Sequence, residues 1–396
     1  MTRSGAQTGP VDRTCWPVAL LGVGISAFGA FLQFKLPPVL PAFLTAYPHS
    51  PTIAAWFMSV FALVGLVASA PLGRLIEQYA LWVALALGLV IAALGIACGL
   101  AAPQSGPVML LGRGLEGLTF AIFAVIGPVI ANSATARRDL GLVTGLIAAW
   151  IPIGQLLAGG LALGGADWRS LWLTNLALIL PLVAAAFAYR AWLGRVKRPG
   201  PGVAMQKTHP GLLIGAGLFL LWSLQFFAFM TWLTKYLTGE LHLSDKVAIL
   251  AYLTPVVVVM TFNIATGYAL ARGLKLLPAL VIALGSQGIV WLLAPFVGGW
   301  AGIALLVLFG IGAGVAPACF FHLPHRLAGV AAGPKAYGVL MTGRNSGVFL
   351  GPILMAWLFQ GSLGWNGAAR VLAIICALSA LLALTLAPRL KHARPA

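Results

Sequence analysis

The stretch VMLLGRGLEGLTFAIFAVIGPVIA at residues 108–131 contains one basic and one acidic side chain among apolar ones. Its 24 residues are enough, as a helix rising ~1.5 Å per residue, to cross the ~30 Å hydrocarbon core of a bilayer. Arg113 and Glu116 are three residues apart, so they share one helix face and can pair. The stretch therefore predicts a membrane-spanning helix with an internal ion pair.

Similar apolar runs recur to the end of the chain, which is 61% hydrophobic and only 8% charged. An average soluble domain is roughly 25% charged, so water is not the expected solvent. The runs predict an all-α membrane protein of twelve spans, numbered here in chain order: 16–40, 53–73, 80–102, 108–131, 139–163, 170–192, 211–237, 247–269, 276–297, 300–322, 336–359 and 367–388.

Basic residues fall mostly on one side of these spans. Alternate loops and the two tails hold 17 of the 24 Lys and Arg residues, and we call that side the charge-rich face. The opposite side, the charge-poor face, includes the loops 47–51 and 103–107, which have none. By the positive-inside rule, the charge-rich face is cytoplasmic, so we expect a multi-pass protein of the inner membrane with both termini inside.

The net charge of +17 in a soluble protein would favour nucleic-acid binding. Here the cations lie in loops, without a basic stripe, so no nucleic-acid partner is expected. Cys15, Cys98, Cys319 and Cys376 have no metal-like spacing, so neither a metal nor another cofactor is expected. The run at 16–40 is too long for a signal-peptide core and predicts a retained helix.

The chain divides near its middle and the two parts resemble each other. Residues 190–210 are charged and rich in Pro and Gly, which predicts a cytoplasmic linker between six-helix halves at 1–189 and 211–396. Gly154 matches Gly351, and Trp168 matches Trp365, at an offset of 197. Gly114 and Pro128 match Gly310 and Pro324 at 196. An offset of 193 also pairs Gly154 with Gly347, so the register in spans 5 and 11 stays open.

With twelve spans, a basic linker and matching halves, the chain resembles the major facilitator superfamily. Gly73 and Glu77 match the Gly and Asp of the family's conformational motif after span 2, whereas Ala80 and Leu81 replace its second Gly and basic residue. The run Arg113-Gly114-Leu115-Glu116-Gly117 resembles the family's span 4 motif. It also spells GxGxxG, but without a preceding strand that pattern does not predict a dinucleotide site.

This resemblance implies a carrier, not an enzyme, with a central cavity that opens alternately to each side. No nucleotide-binding motif is present, so transport is expected to use a gradient. The chain is expected to act as a monomer in contact with membrane lipid. The stretches 232–237 and 310–317 are loosely similar to the cyanate and nitroimidazole carrier group, although Gln33-Phe34-Lys35-Leu36-Pro37 replaces that group's Asn-x-Arg-Pro.

The charges inside the spans favour a small organic anion as substrate. Four cations, Lys35, Arg113, Lys235 and Arg344, stand against Glu116 as the clearly internal acid. Lys35 and Lys235 lie toward the charge-poor ends of spans 1 and 7, so the first reading is that they reach the headgroups. Arg344 lies ~12 Å into span 11, too deep for that, and is the predicted counter-charge of the anion. The alternative is that Arg344 bonds carbonyls or Asn345.

Other polar and small residues allow two readings each. Gln33 and Asn345 line the cavity or bond a neighbouring helix. Glu116 either only neutralises Arg113 or couples transport to protons. The glycines of span 11 indicate close helix packing more than export, and the aromatic residues of span 7 are expected to contact lipid. The alternative function is a multidrug or hydrophobic-compound efflux carrier.

Overall fold

The structure is a computed structural model that describes residues 13–194, 210–328 and 334–391. All regular elements in these ranges are helices. The twelve predicted spans correspond in order to Trp16–Phe34 continued by Leu40–Ala46, Pro51–Gln78, Leu81–Ala101, Gly106–Ser133, Leu140–Ala148 continued by Trp150–Leu163, Trp168–Ala188, Pro210–Gly239, Asp245–Ala271, Leu276–Leu293, Gly299–Ala328, Pro334–Gln360 and Gly364–Leu384.

Nine helices of the described ranges are long and apolar enough to cross a membrane by themselves. Spans 2 and 5 contain shorter apolar helices, Pro51–Val67 and Trp150–Leu163. Span 11 is not among the nine, and it carries Lys335, Arg344 and Asn345. A helix with such polar residues needs protein or a water-filled cleft beside it.

Span 1 is longer than predicted. Its main helix ends at Phe34, a short 3-10 turn follows at Pro37–Val39, and the chain continues as the helix Leu40–Ala46. Pro37 and Pro38 lack the backbone N–H that an uninterrupted α-helix needs, which accounts for the break. Lys35 therefore lies beside a break in the middle of the span.

Glycines show that the two halves are built alike. A Cβ on Gly154 of span 5 would meet the Phe31 nitrogen of span 1 at 2.5 Å. A Cβ on Gly351 of span 11 would meet the Ala228 nitrogen of span 7 at 3.1 Å. The members of these pairs differ by 197, but a Cβ on Gly347 would also meet the Leu224 nitrogen at 2.8 Å, which corresponds to the offset of 193, so these contacts agree with either offset.

Within the described residues, three contacts between the halves lie in the middle of the bundle or toward the charge-poor face. The Gln360 amide is 3.4 Å from the Thr52 hydroxyl near the ends of spans 11 and 2. The rings of Phe34 and Phe227 are 5.6 Å apart between spans 1 and 7. Thr234 donates a hydrogen bond of 2.6 Å to the Pro37 carbonyl. These contacts close the molecule at the charge-poor end.

Part of the predicted linker falls outside the description. Residues 195–209 lie outside the described ranges, between the helix Arg190–Leu193 and Pro210. The halves 1–189 and 211–396 and the linker 190–210 therefore stay a prediction. Gly73 lies in the helix Pro51–Gln78, and the side chain of Glu77 is outside the described part.

Span 6 begins at Trp168 because Asp167 caps it. The Asp167 carboxylate accepts a hydrogen bond of 2.8 Å from the Ser170 backbone nitrogen. Hydrogen bonds with Ser170 hold the pKa of the Asp167 carboxyl below its usual value. The cap fixes the first turns of span 6, which carry Trp168 and Trp172 toward span 1 and its neighbours.

Candidate functional site

A charged cluster lies inside the first half, where one carboxylate faces two cations. Lys35 Nζ is 2.6 Å from one Glu116 oxygen, and Arg113 Nη1 donates to the other. Lys35 and Glu116 are 0% exposed and Arg113 is 1% exposed. The predicted pairing of Arg113 with Glu116 is thus present, and Lys35 joins it. The three side chains carry a net charge of +1.

Arg113 is held on several sides by backbone carbonyls. Its Nε donates to the Phe57 carbonyl at 2.9 Å, and Nη1 donates to the Leu32 carbonyl at 2.6 Å. Nη2 donates to the Gln33 carbonyl at 2.9 Å. The guanidinium carbon is also 4.7 Å from the centre of the Phe61 ring. Arg113 therefore ties spans 1, 2 and 4 together through its fixed donors.

Lys35 does not reach the headgroups, so that reading of the sequence is wrong. Its ammonium turns inward to Glu116 and lies 3.9 Å from the centre of the Trp172 ring. Burying an ammonium is costly, but the carboxylate and the aromatic face both offset that cost. Trp172 of span 6 was not anticipated, since nothing in its local sequence connects it with Lys35.

Arg344 lies at the interface of the halves, on span 11. It is 5% exposed, its Nη1 donates to Asn345 Oδ1 at 3.0 Å, and its guanidinium carbon is 5.7 Å from the Phe227 ring centre. Ion pairs in the described ranges do not include Arg344. The alternative expectation is that Arg344 bonds Asn345, the next residue in the chain, and this contact is present. The Asn345 amide is neutral, so it does not balance the charge of Arg344. Arg344 keeps a buried positive charge.

Buried polar groups without hydrogen bonds occur on the spans that meet between the halves. Within the described part they include Oε1 of Gln33, both amide atoms of Gln155 and the hydroxyl of Tyr252. Gln155 lies on span 5 and Tyr252 lies on span 8. The two spans are in close contact, as a Cβ on Gly159 of span 5 would meet the Leu253 side chain of span 8. A buried polar group without a partner is costly. The Tyr252 hydroxyl and the Gln155 side chain lie close enough to interact with each other, whereas Gln33 Oε1 has no hydrogen-bond partner within the described part. The sequence singled out Gln33 but neither Gln155 nor Tyr252.

Lys235 and several other polar residues lie away from Arg344 and these buried groups. Lys235 is partly exposed near the charge-poor end of span 7. Gln225 donates to Gln287 and accepts from Trp291 at 3.0 Å, which ties span 7 to span 9. His322 bonds the Ala318 carbonyl of its own helix at 2.9 Å. These contacts fit structural roles for Gln225, Gln287 and His322.

The expectation that the aromatic residues of span 7 contact lipid is wrong. Trp222, Phe226, Phe227, Phe229 and Trp232 are all between 1% and 7% exposed. They pack on other rings, as Phe229 does on Phe309 at 3.9 Å between ring centres. Hydropathy cannot separate these environments, because lipid and a protein core are both apolar.

The arrangement can bind and orient charge. The described residues contain no group of three His, Cys, Asp or Glu side chains that could hold a metal ion. Arg344 offers a planar fork that suits a carboxylate, beside the Phe227 ring. Glu116 is a carboxylate in contact with both Lys35 and Arg113.

Comparisons with known proteins agree with this architecture. Residues 19–333 match the family model of the Major Facilitator Superfamily. The chain is 27% identical over 183 residues to an "Acurin A biosynthesis cluster MFS-type transporter" of Aspergillus aculeatus, covering 45% of this chain and 32% of that protein. It is 30% identical over 177 residues to the "MFS-type efflux pump MMF1" of Pseudozyma antarctica, covering 44% of this chain and 32% of that protein. Each match thus spans about a third of the relative's length.

A solved structure has the same fold. It is the crystal structure of a bacterial homologue of the human lysosomal transporter Spinster, in an inward-facing and occupied conformation. The TM-score is 0.75 with 13% sequence identity, and the match covers 96% of this chain and 98% of that chain. At this identity the likeness concerns the fold alone.

Proposed function

Since the chain belongs to the Major Facilitator Superfamily of transporters, we propose that it moves a small organic anion across the inner membrane by alternating access. The charge-rich face is cytoplasmic in this proposal, with both termini inside. The contacts at the charge-poor end then close the outer side, so the substrate exchanges with the cytoplasm in this state.

The observation that carries the anion proposal is Arg344. This cation is buried at the interface, and among the described residues its side chain hydrogen-bonds to the neutral Asn345. Placing a charge inside the membrane region costs roughly 2.5–3.5 kcal/mol even on insertion scales, and such residues mark substrate pathways. An anionic ligand would offset that cost at the moment it binds. Gln33, Gln155 and Tyr252 supply polar groups for the remainder of the substrate.

Coupling belongs to the charged cluster of Lys35, Arg113 and Glu116, with Glu116 as the proton acceptor. Both cations contact this carboxylate inside the protein. Lys35 lies directly before the Pro37–Val39 turn, where span 1 is interrupted and can bend. When Lys35 moves away, Glu116 can take up a proton, which links the position of span 1 to the proton gradient.

A hydrophobic-compound exporter is the second candidate. One relative is named an efflux pump, and the aromatic residues of span 7 line the inside of the second half. Exporters of cationic drugs need a free acid in the cavity, whereas Glu116 already faces two cations. The anion carrier is therefore the better-supported function.

Uptake of radiolabelled compounds into proteoliposomes separates the two. A panel of small organic acids, cationic drugs and neutral aromatic compounds is applied to the wild type and to Arg344→Gln. We expect uptake of one or more acids by the wild type and none by folded Arg344→Gln. Transport of drugs alone, unchanged in Arg344→Gln, would favour the exporter and reject the anion carrier.

A further inference from the structure

The second half contains an apolar cavity near the charge-poor face that is separate from Arg344 and the charged cluster. Its volume is about 330 Å³, and it lies among spans 7 to 12. The lining includes Phe229, Trp232, Trp291, Ile303, Met355 and Trp365, and every lining residue is uncharged. Water would find few hydrogen-bond partners there, so an apolar occupant fits best.

The matching region of the first half is filled by the protein itself. Phe43, which is 0% exposed, packs 5.6 Å from Trp168 and 6.3 Å from Phe57 between ring centres. At the offset of 197, Trp168 corresponds to Trp365 and Phe43 corresponds to Glu240. Glu240 is exposed and follows the end of the helix Pro210–Gly239, so no side chain at this position fills the second half. At this offset the second half has no counterpart of the Phe43 ring.

The charged cluster also lacks a counterpart in the second half. At the same offset Lys35 corresponds to Trp232, which lines the cavity. Trp232 donates its indole N–H to the Pro352 carbonyl at 3.0 Å, so its polar atom is already bonded. Trp232 therefore presents only the apolar part of its ring to the cavity. The cavity is therefore built for a molecule, or part of one, that carries no charge.

The rim of the cavity faces outward between spans 8 and 10. Trp300 is 86% exposed, Val247 is 47% exposed and Ile303 is 44% exposed, and all three line the cavity. In a membrane, lipid chains surround such residues. The adjoining segment 240–246 carries exposed side chains of both signs, Glu240, Asp245 and Lys246. Both signs together suit a zwitterionic headgroup better than a single charge does.

We propose that this cavity holds one acyl chain of a zwitterionic phospholipid, which enters between spans 8 and 10 while its headgroup stays beside residues 240–246. An empty cavity forfeits dispersion contacts on all its walls. A lipid chain restores them without a desolvation cost, because it leaves an equally apolar environment. The bound lipid then acts as part of the packing of the second half, as Phe43 does in the first.

The test is photolabelling in vesicles of phosphatidylcholine that carry a diazirine near the end of one acyl chain. Gly302 lines the cavity, and a Cβ there would meet only the Val297 carbonyl at 3.8 Å, so Gly302→Phe fills the space. The control is Gly285→Phe on span 9, where a Cβ meets nothing within 4 Å and which does not line the cavity. Both proteins are first checked for monodispersity and unfolding temperature.

We expect wild type and Gly285→Phe to be labelled at lining residues such as Trp291, Ile303 and Met355. Gly302→Phe is expected to lose that labelling and to keep labelling at Leu180, which is 73% exposed and outside the cavity. Should Gly302→Phe misfold, Gly302→Leu replaces it. Undiminished cavity labelling in the folded filling variant would overturn the proposal. So would cavity labelling by a photoreactive apolar solute but not by the phospholipid, which would assign the cavity to a transported compound.

Discussion

Glu116 has two cationic partners, and they are bound to the protein in different ways. Arg113 also donates to the carbonyls of Phe57, Leu32 and Gln33, whereas within the described residues the Lys35 ammonium donates to Glu116. Removing Lys35 leaves a neutral Arg113–Glu116 pair. Removing the charge of Glu116 leaves two buried cations side by side. The cluster should therefore respond very differently to these two changes.

We predict that Glu116→Gln is strongly destabilising, by about 3–5 kcal/mol, because it leaves uncompensated buried charge. Lys35→Met is expected to cost less, and the double variant Lys35→Met/Glu116→Gln is expected to recover part of the loss. The unfolding temperatures of the three purified variants check the order. If Lys35→Met lowers the unfolding temperature as much as Glu116→Gln does, repulsion between Lys35 and Arg113 does not explain the loss of stability.

Tyr252→Phe removes a hydroxyl that lies beside the Gln155 side chain without a hydrogen bond of good geometry to it. The unfolding temperature is therefore expected to stay unchanged, while the affinity for the transported anion falls by about 1–3 kcal/mol if the hydroxyl binds the substrate. Ile249→Val, a buried change on the same span, serves as the packing control. Equal affinity in Tyr252→Phe and the wild type would remove Tyr252 from the site.

The pairing of Arg113 with Glu116 could be predicted because both lie on one helix at a spacing that fixes their relation. The inward direction of Lys35 could not, since it depends on how span 1 is rotated and on Trp172 in span 6. The same limit applies to Gln155 and Tyr252, which belong to different halves. Local spacing carries no information about such contacts.

Span 11 packs on span 7 through three glycines at intervals of four residues. Cβ atoms on Gly343, Gly347 and Gly351 would collide with span 7, at the carbonyls of Ala216, Leu220 and Leu224. Backbone cannot yield as a flexible side chain can. The close-packing interpretation of these glycines agrees with these contacts, which also set the depth at which Arg344 enters the interface.

Gly347→Ala is therefore expected to destabilise the protein by about 1–3 kcal/mol or more through overpacking. Gly338→Ala on the same helix is the matched control, because a Cβ there meets nothing within 4 Å. It should be neutral or slightly stabilising, since alanine is the better helix former. Thermal unfolding followed by size-exclusion chromatography measures both, and equal behaviour of the two variants would contradict the packing.

Hydropathy predicted where the spans lie, but it could not predict whether lipid or neighbouring helices surround each span. Span 1 continues beyond its break as far as Ala46, six residues past the predicted end. The aromatic face of span 7 turned out to be core. Both features depend on neighbouring helices, whereas the length and order of the spans depend only on the chain itself.

Across the whole molecule, the halves touch at the charge-poor end, and alternating access requires these contacts to open. Thr52 and Gln360 lie there, 3.4 Å apart at their polar atoms. We expect a short bis-methanethiosulfonate reagent to cross-link the double variant Thr52→Cys/Gln360→Cys and to stop transport, with recovery after reduction. Each single cysteine variant controls for the substitution. A cross-linked protein that transports at the wild-type rate would show that this end need not open.

The central claim is that a buried cation at the interface of the halves binds an anionic substrate. The most direct measurement is equilibrium binding of organic acids to purified protein, comparing the wild type with Arg344→Gln and Arg344→Lys at equal unfolding temperature. The account predicts an acid that binds the wild type, binds Arg344→Lys more weakly because the bidentate fork is lost, and does not bind Arg344→Gln. An acid that is transported and binds Arg344→Gln with wild-type affinity would contradict it.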